Sequence, residues 1–494
     1  MRSKRFSSPV MGAILLFSAV TLGFCAASPD SQNGKIPITT SSEEARKEFL
    51  AGRDVFEKLL AQESLKHFDK AIALDPNFAS AELARANSAP TAKDFFAHLN
   101  KAVSLADKVS EGEKLLILAN QAGANGRPAE QKQLLDKLAA AYPEDERAQF
   151  NLGGYYFGLQ DYENALAHYK KATEIAPNYS PAYNLLGYAY RQQGDYAKAE
   201  DAFKKYVELI PDDPNPYDSY AELLLKMGKF EESIAQYRKA LSIDPHFNAS
   251  HFGISADLMY QGKADAASSE LQKMAEQARN DGERRTAYFG MAVLAADSGN
   301  PEKALQAIEK QYVIAEKKND AAAMAGDLQA KGNILSEMQR YDAAAQQYDR
   351  SLQVVQASGL SQQIKENAKL QRQFSATTLA LARKDIAAAK KNAEEFRQGG
   401  EAQQNPGQLR QAHELAGRIA FAEKDYDKAI AELEQANLQD PRNLYRLSQA
   451  YQVKGDSAKA QEYAKKVADF NSLPALNYAF VRSKVQKELA AKKM

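Results

Sequence analysis

Six histidines and a few adjacent acid pairs are the residues of this 494-residue chain whose types could hold a metal or move protons. Two histidines bind one ion on a helix when they stand a turn apart, and His67, His98, His168, His246, His251 and His413 never reach that spacing. His246 and His251 come nearest, five residues apart across a proline-marked boundary. His413-Glu414 has no second histidine four residues after the first, so the helical zinc-protease pattern is missing. Asp212-Asp213 and Glu231-Glu232 fall at turns and helix starts, where acids complement the helix dipole. There is no glycine-rich phosphate loop, no Gly-x-Ser-x-Gly turn and no dinucleotide fingerprint. Catalysis is not expected, and no cofactor and no metal is implied.

The elements that would position any site repeat at a fixed period. Pro143, Pro177, Pro211 and Pro245 are 34 residues apart, and the residues between them keep one small/large pattern. Small residues (Gly153, Gly187, Ala165, Ala199) stand where two antiparallel helices must approach, and Tyr156, Tyr190, Tyr169 and Phe203 fill the space between them. Gly194 and Gly228 mark the turn inside each hairpin, and each proline marks the connection to the next. The pattern is a helical hairpin, copied.

This arrangement resembles the tetratricopeptide repeat. The resemblance is close from Arg147 to Pro245, and it returns through Gly52, Phe68, Ala71 and Pro76, through Gly417, Tyr426, Ala429, Ala436 and Pro441, and in a last copy with Tyr451, Gly455 and Ala460. It implies an all-α fold, an α-solenoid (right-handed superhelix) of about twelve helix-turn-helix repeats, acting as a non-enzymatic scaffold for a protein or peptide partner. In that family the first helix of each hairpin lines the concave surface. Carried over residue by residue, the resemblance makes Arg147, Asn151, Asn184, Tyr188, Arg191, Asp218, Glu222, Phe252 and Met259 protein-binding groove candidates. Asn151, Asn184 and Arg191 match parts of a clamp that some members close on a chaperone's C-terminal carboxylate, but the lysines of that clamp are missing.

Residues 1–27 read as a signal peptide: Arg2, Lys4 and Arg5, an apolar run from Val10 to Phe24, then Cys25, Ala26 and Ala27. The expected location is periplasmic or extracellular. A lipid-modified Cys25 is disfavoured by the large Phe24 before it, and a retained anchor by a run shorter than a spanning helix. Cleavage would remove three basic residues and no acid, taking the net charge from 0 to −3. With charges alternating in sign along the helices, nucleic acid is not an expected partner. The only cysteine leaves with the signal, so stability must come from stacking.

The expected organisation continues with a flexible tether at 28–42, a repeat array at 43–280, divergent longer helical repeats at 281–400, and C-terminal repeats with a capping helix at 401–494. Ser41 and Glu44 form a candidate capping box for the first helix. Gly399 to Gly407 reads as a long loop. The oligomeric state is left open. The alternative to groove binding is a structural or assembly component of an envelope complex that uses its convex face or ends.

Overall fold

A computed structural model describes residues 34–491, so the expected signal peptide and Cys25 lie outside the described residues. Among those described there are twenty-five α-helices, one 3-10 turn and no strand. Helices α1 (Glu43–Glu57) and α2 (Ala61–Leu74) form hairpin 1, and the pairing continues to hairpin 12, α23 (Pro441–Lys454) with α24 (Ser457–Ala468). The last helix, α25 (Leu476–Ala491), has no partner of its own. No described helix is long and apolar enough to cross a membrane.

The hairpin interior follows one rule. A Cβ built on a glycine of the first helix would strike the ring sixteen positions later in the second: Gly52 on Phe68 at 2.7 Å, Gly153 on Tyr169 at 2.6 Å, Gly187 on Phe203 at 2.6 Å and Gly332 on Tyr348 at 2.2 Å. Those rings are fully buried, and alanines such as Ala165 and Ala199 pack beside them. Close approach therefore requires glycine at these positions. Gly187→Ala is expected to cost about 2 kcal/mol through overpacking, read as a lower denaturant midpoint, with much of the loss recovered by Phe203→Leu. An unchanged midpoint would mean that hairpin 5 yields around the methyl group.

Three local expectations are corrected. Ser42, not Ser41, caps α1 by accepting from the Ala45 N–H at 3.1 Å. Ser41 is occupied elsewhere, its N–H donating to Asp75 at 2.8 Å. Gly399 and Gly400 lie inside α20 (Ile386–Ala402), and α21 (Pro406–Ala422) begins three residues after it ends. Gly399 is a close-approach residue, since a Cβ there would lie 2.2 Å from Leu370. Finally, residues 35–41 are not a loose tether, because they are hydrogen-bonded to three hairpins, as detailed below.

The array coils back until successive coils touch. Arg279, after hairpin 7, pairs with Glu63 of hairpin 1. Asp320, after hairpin 8, accepts from the Lys93 N–H of hairpin 2 at 3.1 Å. Ser361, after hairpin 9, donates to Asn125 of hairpin 3, and Asn437, before hairpin 12, accepts from Gln160 of hairpin 4 at 3.0 Å.

Helix α25 ties the end of the array to its middle. One face, Tyr478, Val481 and Val485, packs on Leu444, Ala464 and Val467 of hairpin 12. The other, Leu476, Ala479 and Phe480, enters a core with Ala292 and Val293 of α15 (Asp281–Asp297), Ile308 of α16 (Pro301–Lys317) and Ile334 of α17 (Ala321–Glu337). It covers the last hairpin, as expected of a cap, and also ties that hairpin back to hairpins 8 and 9.

Candidate interaction groove

First helices line the inner surface. Side chains from α1, α3 (Ala79–Asn87), α5 (Glu111–Ala124) and α7 (Glu146–Gly158) bound a largely apolar cavity of about 240 Å3. Phe49, Leu83, Leu116 and Phe150 supply its apolar wall, and Asn87, Asn120 and Asn151 come from three successive first helices. Asn120 and Asn151 give their Nδ2 hydrogens to the carbonyls of Leu116 and Arg147, at 2.9 and 2.7 Å, which leaves each Oδ1 as an acceptor.

The fourth wall of this cavity is the chain's own N-terminal segment, through Ile36, Pro37 and Ile38. It is held by an acid at the end of hairpin 1 and by acids at the starts of hairpins 3 and 4. The Ile36 N–H donates to Asp145 at 2.8 Å, the Thr39 N–H to Glu113 at 3.0 Å, and the Thr40 hydroxyl to Asp75 at 2.7 Å. Lys35 reaches the Glu144 carbonyl at 2.7 Å and pairs with Glu146. Several hydrogen bonds from this segment hold the Asp75 carboxyl below its usual range against the opposing effect of burial.

The nine groove candidates divide into three groups. Arg147 and Asn151 sit in this cavity, where Arg147 forms a two-pronged pair with Glu57 at 2.6 and 2.9 Å and lies over the Tyr179 ring. Tyr188, Arg191, Asp218 and Glu222 come together farther along the array. The Tyr188 hydroxyl donates to Glu222 at 3.0 Å, Arg191 bonds Glu222 at 3.0 Å, and its guanidinium stacks 4.6 Å above the Tyr188 ring. Asp218 accepts from the Ser250 hydroxyl at 2.6 Å; burial, and after it the charge of Glu222, push its carboxyl up to about 8. Phe252, with Asp218 and Glu222, lines a cavity of about 390 Å3 that the hairpin 1 turn, Leu59 to Glu63, closes from the opposite coil. Asn184 is buried, its Oδ1 unpartnered among the described residues. Met259 belongs to a packing cluster with Leu271 and Leu294. Three of the nine, Tyr188, Arg191 and Glu222, thus satisfy one another.

Residues 144–212, 215–247 and 411–443 match the tetratricopeptide repeat family. These stretches are tetratricopeptide repeats. No curated protein matches the chain. Solved structures of similar fold include a tetratricopeptide repeat protein from Parabacteroides merdae ATCC 43184, at 15% identity over 52% of this chain and 97% of that one, with a TM-score of 0.36. PilW, a widely conserved type IV pilus biogenesis factor, shares 20% identity over 43% of this chain and 95% of its own, with a TM-score of 0.32. MamA from Desulfovibrio magneticus RS-1 shares 19% over 34% and 95%, with a TM-score of 0.29.

Five of the six histidines are clasps within hairpins. His67 bonds Glu48 at 2.9 Å, His98 bonds Glu82 at 2.6 Å, His168 bonds Gln149 at 2.9 Å, His251 bonds Glu270 at 2.9 Å and His413 bonds Glu432 at 2.8 Å. Each pair joins the two helices of one hairpin, and among the described residues no cluster of three or more His, Cys, Asp or Glu could hold a metal. Sequence reasoning missed Lys226 and the inter-coil contacts. Lys226 lies 4.3 Å above the Phe470 ring, and burial pushes its amine down to about 8. Its partner follows hairpin 12, at a distance along the chain to which no repeat pattern points.

Proposed function

We propose that this protein is an exported scaffold that holds an extended segment of a partner polypeptide along its concave groove. The observation that carries the reading is the placement of residues 35–41, an extended stretch seated against hairpins 1, 3 and 4 by its backbone N–H groups and hydroxyls. The groove chemistry suits such a chain. Acid side chains and amide oxygens accept backbone N–H groups without regard to sequence, and the Phe49, Leu83 and Phe150 wall takes apolar side chains. The scaffold role agrees with the family, and export rests on the N-terminal residue pattern.

The test is affinity capture from the envelope fraction with the mature chain and with an Asn120→Ala/Asn151→Ala variant, read by mass spectrometry. Both amides are partly exposed, so helicity should persist while partners held in the groove fall by about tenfold. Partners retained in full by the variant would move binding to the convex face or the ends. The same spectra report the mature N-terminus, and an intact Arg2 would overturn export.

A further inference from the structure

Hairpins 9 to 12 enclose a space that groove binding does not use. A cavity of about 720 Å3 lies against α17, α19 (Gln362–Ala382), α21 and α23, and α25 closes it with Asn477, Phe480 and Lys484. Its wall carries three arginines, Arg418, Arg442 and Arg446, and the carboxylates that bond them are two, Glu414 and Asp440. Lys484 and Glu337 cancel each other in a pair at 3.0 Å.

The pairing leaves a surplus. Arg442 is committed to Asp440, with Nη2 at 2.8 Å and Nε at 3.2 Å. Arg418 and Arg446 both direct Nη1 to one oxygen, Glu414 Oε1, at 3.4 and 2.8 Å. Two guanidiniums therefore share one carboxylate that is itself buried. The remaining Nη1 contacts go to neutral oxygens of Thr378 and Asn443. Two half-buried cations that share one carboxylate are under-compensated, and an anion arriving from solvent would relieve that. Burial, and after it the neighbouring charge of Arg446, already hold the Arg418 guanidinium below the ordinary arginine range.

We propose that this cavity binds a small polar oxyanion, a carboxylate or phosphate group carried on a free molecule, between Arg418 and Arg446. The forked guanidinium matches either oxyanion with two parallel hydrogen bonds. The ligand is a free molecule rather than a threaded chain because α25 is packed across the cavity by Leu476, Ala479 and Phe480. Amides such as Gln371, Gln411 and Asn437 line the remainder, which suits a ligand that carries further polar groups.

The test is calorimetric titration of the mature chain, in Tris-chloride buffer, with citrate and separately with inorganic phosphate. Saturable binding of at least one anion is expected, weakened about tenfold or more by Arg446→Gln and by Arg418→Gln. Binding of citrate alone assigns a carboxylate ligand, and binding of phosphate alone a phosphate. Arg446 is the more exposed of the two, so its variant carries the test if Arg418→Gln fails to fold. The proposal is overturned if wild type binds neither anion saturably, or if folded variants bind as wild type does.

Discussion

Replacing Asp257 by asparagine is expected to leave stability near pH 4 almost unchanged and to raise it by about 2 to 3 kcal/mol at pH 9. Asp257 is fully buried in α13 (Asn248–Tyr260), and neither carboxylate oxygen has a hydrogen-bond partner among the described residues. Ser233 lies beside it but donates to the Ala221 carbonyl at 2.9 Å. Burial therefore pushes the carboxyl up to about 8, whereas in the unfolded chain it titrates near 4. The folded state holds the proton more tightly, so this contribution to stability is complete below pH ~4 and is lost as the pH rises through about 8. A shift of that size sets a ceiling of roughly 5 kcal/mol, and local opening that admits water brings the expected value below it. Asparagine cannot ionise and should flatten the fall. Asp218, raised similarly, leaves a residual slope in the variant. Melting curves from pH 4 to pH 9 decide the matter: parallel slopes in wild type and variant would show that water already reaches Asp257.

Arg482→Met is expected to detach α25 from hairpins 7 to 9 at a cost of about 3 to 5 kcal/mol, because it leaves a buried acid without its partner. Arg482 donates to Asp297 at 2.7 Å and to the Tyr260 carbonyl at 3.3 Å, and its guanidinium lies 5.0 Å above the Tyr260 ring. Both members of the ion pair are more than nine-tenths buried. Burial raises the Asp297 carboxyl even against the opposing charge of Arg482, so removing that charge pushes it further up. Hydrogen exchange should quicken in α25 and α15 while hairpins 2 to 5 keep their protection, since stability in such arrays is local. The double variant Arg482→Met/Asp297→Leu should recover most of the loss, as apolar pairs often replace buried ion pairs at little cost. Equal exchange in the single and double variants would show that the apolar contacts of Phe480, Ala479 and Leu476 hold the helix without the ion pair.

The hairpins were legible because their chemistry is local. Gly153 meets Tyr169 and Gly187 meets Phe203 within one repeat, so the constraint reappears each time the unit is copied. The same logic explains where the signal thinned. In hairpins 8 to 10 the helices reach 17 to 21 residues, which stretches the period. Gly399 and Gly400 misled for a related reason: a glycine pair followed by Asn-Pro-Gly reads as a break, whereas Gly399 is small to admit Leu370.

The candidate groove was only partly legible. Helical position alone assigns Tyr188, Arg191 and Glu222 to one surface, but it cannot show that they bond one another and so spend their polar groups internally. Nor does any pattern indicate that residues 35–41 lie against Asp75, Glu113 and Asp145, because an extended segment carries no period of its own.

The sequence by itself determined the repeat, the all-helical class and the count of about twelve hairpins, since each depends on contacts between residues a few helical turns or one repeat apart. Tertiary structure alone decided how the coil closes: Arg279 on Glu63, Asn437 with Gln160, Arg482 on Asp297, and Arg418 with Arg446 around Glu414. The first three contacts join residues far apart along the chain, at separations set by the accumulated small rotations of every intervening hairpin. The fourth crosses from one hairpin to the next, where only side-chain geometry shows that two arginines share one acid.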